Sequence, residues 1–478
     1  MNQRRMGVII LIILSLLLTS PMYFTVHGFS DVDAATSPDT IIHNGDILTM
    51  EQSPAQVEAI AIQGESIQAI GNESNILAMA GPDTRIIDLE GRTLLPGFID
   101  SHSHWISGRH WTGWEGERQP ETLEEAIESA LRGGWTSVTE HAVREDFLDE
   151  LRTLDQEDRL PFRVSAYLTL SQQGENLGDW YLAYEPGQEF SSKLRIGGVK
   201  IFMDDWVTTF HHYLNQSELD TLVHEAHNAG FQISIHSVVD NATDIVLNAL
   251  ESALDGESND LYRHRIEHLV LLRNDQIERM SSLGIIASIQ FLWFTSDVVD
   301  YYQYPIYQEY SHILARWRDI VEAGMPSIGN TDYPYTMWYN GSAIEAVSWS
   351  VTRIGALGLT PTDWMLNQTL TVEQALRLIT INAAYGLCQE DIIGSIKVGK
   401  LADLVVLSDN PLTVPEDSLE DIDVLLTMIG GKIEYTKEGS GLPGDVTPPP
   451  LWTILLPPTL VILPLATIMV FMIRKNRC

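Results

Sequence analysis

Apolar and polar positions change rhythm as the chain proceeds. From residue 39 to about 95, short apolar runs alternate with turn residues. Ile41-Ile42 leads into Asn44-Gly45-Asp46 and then Ile47-Leu48-Thr49-Met50. Val57–Ile62 and Ser66–Ile70 flank Gly64-Glu65, a hairpin signal, and Arg85–Leu89 and Thr93–Leu95 flank Glu90-Gly91. This pattern predicts a small β domain. Strand and helix then alternate. Apolar runs at Thr93–His104, Thr136–His141, Arg163–Leu170, Val199–Asp204, Gln232–Val238, Arg263–Val270, Ile285–Phe291 and Pro326–Asp332 predict eight strands. Between most of them, apolar residues recur at three- and four-residue spacing, which predicts helices. Those segments are Glu121–Leu131, Glu145–Leu154, Ser217–Ala229, Asn241–Leu254, Asn274–Leu283, Gln308–Ala323 and Ser342–Ile354. Such alternation implies an α/β fold with a parallel sheet, and eight units imply a closed (β/α)8 barrel of the TIM type. An open doubly wound sheet competes, but no phosphate-binding glycine loop follows the first strand. Thr371–Tyr385 reads as a helix opened by a Thr371/Gln374 capping box. Strands return at 394–407, Val424–Ile429 and Lys432–Tyr435, so the β pieces on either side of the barrel are expected to pair.

The two ends add membrane signals. Arg4 and Arg5 precede the apolar run Gly7–Leu18, and small Ala34 and Ala35 follow, so 1–35 reads as a signal peptide or an N-terminal anchor. Leu451–Ile473 carries no charge and as a helix would reach about 34 Å, enough to cross a bilayer core. Arg474, Lys475 and Arg477 form a basic tail that should stay in the cytoplasm. Residues 437–450, rich in Gly and Pro, read as a stalk. The expected location is therefore the cell membrane, with the catalytic body outside the cytoplasm.

Composition narrows the partners. The 478 residues carry a formal net charge of −36, which argues against nucleic acid, since phosphate binding needs a basic patch. Two cysteines, Cys388 and Cys478, cannot build a disulfide framework.

Candidate chemistry gathers at the C-terminal ends of the strands, where barrels of this kind place working residues. The first strand ends in His102-Ser103-His104, whose i and i+2 side chains share a face. Imidazole pairs of this sort suit zinc, iron or nickel. The second strand ends in Glu140-His141. The fourth carries Lys200 and ends at Asp204-Asp205, the fifth ends in His236, the sixth contains His264 and His268, and the eighth ends in Asp332. Each has a bland reading alone. His236 suits a satisfied core histidine, His268 a partner of Glu267, Lys200 an ammonium paired with Asp204, Asp332 a turn residue, and Glu140 an ion-pair partner. Their coincidence at five strand ends favours a site for one or two divalent metals, because burying so many ionisable groups otherwise is costly. Aromatic residues crowd the same loops: Trp105, His110, Trp111 and Trp114 after the first strand, Trp293, Tyr301, Tyr302, Tyr304, Tyr333 and Tyr335 after the last two. They suit either an apolar ligand or packing between loops. Arg109 and Arg144 are candidates for holding a carboxylate.

Pro96-Gly97-Phe98-Ile99-Asp100-Ser101-His102-Ser103-His104 resembles the first-strand signature of the metal-dependent amidohydrolase superfamily. Gly198-Val199-Lys200-Ile201-Phe202, Arg263-His264-Arg265-Ile266-Glu267-His268 and Gly329-Asn330-Thr331-Asp332-Tyr333-Pro334 resemble motifs of its family 3 branch, which includes N-substituted formamide deformylases. Gly394–Leu407 resembles the closing β-domain signature. The likeness spans about residues 39–436. It implies a barrel over 96–385 and a discontinuous β-sandwich of the urease-like composite kind from 39–95 and 386–436; the membrane segments at 1–35 and 451–473 and the tail at 474–478 lie outside the likeness. It also implies a first metal on His102, His104 and Asp332, a second on His236 and His268, and carbamylated Lys200 as the bridge, zinc being the leading candidate. Asp332 would be catalytic, taking a proton from the attacking water and passing it to the leaving amine. Two loops depart from the branch, Met203-Asp204-Asp205-Trp206 and Ser237-Val238-Val239-Asp240-Asn241. They leave open the substrate and the metal count, including a single ion on His102, His104, His236 and Asp332 with Glu140 as a spare carboxylate. The function implied is a hydrolase for carbon–nitrogen bonds other than peptide bonds in a small molecule, on amide or N-acyl and N-formyl substrates. A deaminase, a lactone or ester hydrolase, and a non-catalytic surface binding protein are the alternatives, and a homo-oligomer stays open.

Overall fold

The first apolar runs form β1 (Thr40–Leu48), β2 (Gln56–Gln63), β3 (Ser66–Gly71), β4 (Arg85–Asp88) and β5 (Thr93–Pro96). Period-two alternation decides their faces. Ile42, Ile47, Ile60 and Ile62 turn to one apolar cluster, while Ile41, Ala59 and Ala61 turn to another under Ile76 of the short helix Glu73–Leu77. The computed structural model describes residues 37–110, 122–295, 308–335 and 339–444. The described residues from Pro38 onward form one compact unit. The terminal apolar stretches read as membrane segments lie outside the described residues. Among those described, no helix is long and apolar enough to cross a membrane.

After Gly97 the barrel begins. Its strands are β6 (Phe98–Ser103), β7 (Trp135–Val143), β8 (Arg163–Gln172), β10 (Leu194–Phe202), β11 (Ile233–Ser237), β12 (Arg265–His268), β13 (Ile286–Gln290) and β14 (Ser327–Asn330), with the short β9 (Glu175–Asn176) folded back on β8. Each of the eight pairs in parallel with the next, in chain order. The ring is drawn shut between β14 and β6: Ser101 Oγ donates to the Gly329 carbonyl at 2.8 Å, and the Asp332 N–H donates to the His102 carbonyl at 2.9 Å. The open doubly wound alternative is therefore excluded.

β15 (Leu404–Leu407), β16 (Val424–Ile429) and β17 (Lys432–Thr436) complete the first sheet, β15 lying antiparallel to β5 with Val405 opposite Leu95. The result is one hydrogen-bonded eight-stranded sheet, in which β1 joins the two halves by pairing with β2, β4 and β5. One face of the β5–β15 pair, with Leu95, Val405 and Leu407, joins the barrel core. Arg163 of β8 reaches across to Asp403 through two hydrogen bonds of 2.7 and 2.8 Å, both side chains buried.

Three expected elements are divided. The run Thr93–His104 splits at Gly97, where a Cβ would stand 2.2 Å from the Thr136 side chain, and its halves go to different sheets. The helix expected over Gln308–Ala323 is interrupted: residues 308–309 and Trp317–Glu322 are helical, while between them Leu272 N–H and Ala315 N–H pair with the Ile313 and Val270 carbonyls and hold residues 313–315 out of the helix. Thr371–Tyr385 is two helices, Val372–Leu378 and Ile381–Gly386. The Ile379 carbonyl accepts from Ile99 N–H of β6, and the Thr380 hydroxyl donates to the Leu376 carbonyl.

Gly198 shows how tight the barrel wall is. A Cβ there would lie 2.5 Å from the Gln232 carbonyl oxygen and 3.0 Å from the Tyr167 ring. Gly198→Ala is expected to destabilise the protein by about 1–3 kcal/mol, read as a lowered urea midpoint. An unchanged midpoint would show that β10 and β11 can part without cost.

Candidate metal centre

The first cluster is assembled by the closure of the barrel. Asp100 sits inside β6 and accepts from Thr331 N–H at 3.0 Å, Thr331 Oγ1 at 2.5 Å and Trp105 Nε1 at 2.9 Å. Burial pushes its carboxyl up to about 7 against the pull of those bonds. This tie fixes the end of β14 over β6, and a left-handed backbone at Asp332 (φ 55°) turns its carboxylate inward. Asp332 Oδ1 then lies 3.6 Å from His102 Nε2 and 3.4 Å from His104 Nε2, and the ligating atoms of the three residues all lie within 4.8 Å of one another. Burial works to raise Asp332, but the His104 hydrogen bond and the His102 charge hold it well below the usual carboxylate range.

A second pair of imidazoles stands beside the first. On β12, strict alternation would place Arg265 and Glu267 inside and His268 outside. The backbone at His268 is left-handed (φ 77°) and turns the ring in, so that it lies 5.0 Å from His102 and 4.2 Å from His236 between ring centroids. The Gln290 side chain hydrogen-bonds His268, and the Asp205 backbone hydrogen-bonds His236. The Nε2 atoms of both histidines are buried and have no hydrogen-bond partner among the described residues. Lys200, fully buried on β10, also has an unpartnered Nζ there, 5.1 Å from the Phe202 ring centroid, and burial brings its ammonium down to about 8.

Beneath these groups lies a charged network. His102 Nδ1 donates to Glu267 Oε2 at 2.7 Å, which leaves its Nε2 facing Asp332. Ser234 Oγ donates to Glu267 Oε1 at 2.8 Å, and Arg265 holds both carboxylate oxygens. Arg265 Nη2 also donates to the Ser101 carbonyl at 2.8 Å and Ser288 Oγ at 3.1 Å. Burial would raise Glu267, but the Arg265 and His102 charges keep it well below its ordinary value. His141 completes the floor. Its ring is stacked between His102 at 3.9 Å and Tyr167 at 4.3 Å, and neither of its nitrogens has a partner among the described residues.

The structure thus brings together His102, His104, Lys200, His236, His268 and Asp332. It places other residues differently from expectation. Glu140 is no spare bridging carboxylate, because its oxygens accept from Ile106 N–H at 2.5 Å, Ser107 N–H at 3.2 Å and Ser107 Oγ at 2.8 Å and hold the loop after β6. Asp204 does not pair with Lys200. It accepts from the Val238 and Val239 N–H groups at the start of helix Asp240–Leu254 and stands 3.5 Å from His236 Nε2. Glu267 serves His102 rather than His268. His264 lies elsewhere, bonded to His227 at 3.0 Å. Trp105 is core, stacked 3.9 Å from Tyr333. Arg144 is on the surface with Gln172 and Glu175. Tyr335 lies edge-on to His104 at 4.7 Å, and Trp206 packs 4.5 Å from Trp293. Trp111, Trp114, Tyr301, Tyr302 and Tyr304 lie outside the described residues, as do the side chains of Arg109 and His110.

Comparison with known proteins gives the family. The amidohydrolase family profile matches residues 115–435. The chain belongs to the amidohydrolase family. His102 and His104 precede the matched span, so their place rests on the distances above. This amidohydrolase is 22% identical to N-substituted formamide deformylase of Arthrobacter pascens, over 84% of this chain and 99% of that one. It is 26% identical to imidazolonepropionase of Symbiobacterium thermophilum, over 77% of this chain and 90% of that one. Among solved structures it is similar to an uncharacterized metal-dependent hydrolase from Pyrococcus horikoshii OT3, with a TM-score of 0.64 and 21% identity over 79% of this chain and 99% of that one. It is also similar to atrazine chlorohydrolase from Arthrobacter aurescens TC1 complexed with zinc, with a TM-score of 0.57 and 17% identity over 82% of this chain and 94% of that one. Both structural likenesses concern the fold.

Proposed function

We propose that this amidohydrolase hydrolyses a carbon–nitrogen bond, outside peptides, in a small amide of the N-acyl or N-formyl kind, with a divalent metal, zinc foremost. The observation that carries the reading is the set of bare donors: Lys200 Nζ, His236 Nε2 and His268 Nε2 are buried without partners among the described residues, beside the converging His102, His104 and Asp332. Buried polar groups are otherwise almost always paired, and imidazole with carboxylate is a donor set that suits zinc. When bound, such an ion supplies Lewis acidity toward a carbonyl and brings a water near neutral pKa. In this reading Asp332 accepts the proton of the attacking water at a carboxylate oxygen and delivers it to the leaving nitrogen. Glu267, bonded to Nδ1 of His102, fixes that ring's tautomer and plane. Tyr335, edge-on to His104, presents aromatic surface to the site and helps exclude water.

Lys200 fits the role of a bridging ligand only after modification. Its neutral amine would add to carbon dioxide, forming an N–C bond and releasing one proton, and the resulting carbamate is a carboxylate. Burial, which lowers the ammonium to about 8, makes the neutral amine accessible at mildly alkaline pH.

The test is a screen of the zinc-loaded full chain against N-formyl and N-acyl amines, cyclic amides, lactones and amino-substituted heterocycles. Release of amine from the first group supports the reading. Turnover confined to lactones or to deamination replaces it with the second reading, which the similarity to an imidazolonepropionase keeps in view. From the apolar stretch Leu451–Ile473 and its basic tail we also propose that the chain is membrane-tethered with its body outside the cytoplasm. Release of the full chain from membranes by alkaline carbonate would contradict that.

A further inference from the structure

His227 and His264 form a buried pair that the reaction does not use. His264 directly precedes β12, and His227 lies in the last turn of helix Gln216–Asn228. His227 Nδ1 stands 3.0 Å from His264 Nε2, and both residues are buried. The Ile233 N–H, at the start of β11, donates to His264 Nδ1 at 3.1 Å. A backbone amide can only donate, so His264 Nδ1 carries no proton. The neutral ring therefore keeps its proton on Nε2 and donates it to His227, whose own Nδ1 must be bare. The bonds run one way, from Ile233 through His264 to His227.

That polarity leaves no place for a further proton. On His264 Nδ1 it would face the Ile233 N–H, and on His227 Nδ1 it would face the His264 N–H. Among the described residues no carboxylate is hydrogen-bonded to either ring. Glu257 is bonded instead to the hydroxyl of Tyr262, whose ring centroid lies 4.2 Å from that of His227 and 5.4 Å from that of His264. His224, one turn earlier on the helix, is bonded to Ser252 and repels a charge on His227 when protonated. Arg263, beside His264 in the chain, is bonded to Glu390, and the Asn259 side chain holds the His264 backbone. Burial lowers both imidazoles, His264 to about 3.

We infer that His227 and His264 are an acid-opened latch, which holds the base of β11 and β12 to helix Gln216–Asn228 only while both rings are neutral. Each ring titrates lower in the fold than when freed. The latch is therefore whole above about pH 6.5 and weakens as pH falls below it. Gln232 spans the same seam without titrating, donating to the Arg263 and Gly386 carbonyls at 2.7 and 2.8 Å, so opening is local. The two strands so held carry His236 and His268 at their other ends.

The test is hydrogen exchange of the full chain at about pH 7.5 and about pH 5, corrected for the intrinsic rates and read at the Ile233 amide. The β15–β16 hairpin, which contains no histidine, is the reference. An imidazole freed to its ordinary value favours the open state about 30-fold more at the lower pH. Wild-type protection at Ile233 is expected to fall at least about 100-fold, with the reference unmoved. His227→Asn keeps an acceptor for the His264 N–H but cannot take a proton, and its loss should be about 30-fold or less. Equal losses in the two chains, or an equal loss in the reference, would overturn the latch. If His227→Asn does not fold, nitrogen NMR of the wild-type rings decides. Coupling across the hydrogen bond from the Ile233 amide picks out His264, which should be neutral and protonated on Nε2 at neutral pH. The other tautomer, or a charged ring, would overturn the latch equally.

Discussion

Asp332→Asn is expected to lower kcat by about 10²–10⁴-fold on whichever amide the screen identifies. The amide keeps the shape of the side chain but cannot accept the proton of the attacking water. It also removes the negative ligand that His102 and His104 converge on at 3.6 and 3.4 Å. The fold should survive, because the tie between β6 and β14 runs through Asp100, Thr331 and the backbone of residue 332 rather than through the Asp332 side chain. An Asp332→Asn variant with wild-type kcat and an unchanged circular dichroism spectrum would remove Asp332 from the reaction.

The second large effect concerns stability. Arg265 and Glu267 are both fully buried, and the arginine binds the carboxylate, the Ser101 carbonyl and the Ser288 hydroxyl inside the barrel. Arg265→Met leaves Glu267 as an uncompensated buried charge and is expected to cost about 3–5 kcal/mol. The double variant Arg265→Met with Glu267→Met should recover part of that loss, because no lone charge remains, yet it should stay deficient in metal binding since His102 has lost its acceptor. Urea midpoints of the two singles and the double decide. A loss in the double equal to the sum of the two single losses would mean that the pair carries no coupling.

Much of this was legible in the residues because the barrel strands are short and apolar and end in ionisable side chains. A run such as Gln232–Val238 has one plausible use in an alternating chain, and His236 at its end follows from that placement. What escaped reading was decided by single backbone dihedrals and by long-range hydrogen bonds. His268 and Glu267 are neighbours in sequence, and alternation alone allows only one of them to face in. The left-handed backbone at His268 brings both to the mouth, where Glu267 serves His102 instead. His141 was visible only as the neighbour of Glu140. The left-handed residue Ala142 (φ 57°) interrupts the pairing of β7 with β8 there, and His141 ends stacked on His102 while Glu140 turns to the loop. The helix expected over Thr371–Tyr385 breaks at a carbonyl claimed by Ile99, a partner almost three hundred positions away in the chain that no local pattern announces.

The account stands on one arrangement, in which side chains from separate strands meet to grip a cation. Elemental analysis of the purified full chain, wild type against His102→Ala, tests it most directly. The prediction is at least about one equivalent of divalent metal per wild-type chain and loss of the tightly held equivalent in the variant. Full metal content retained in a folded His102→Ala chain would contradict it.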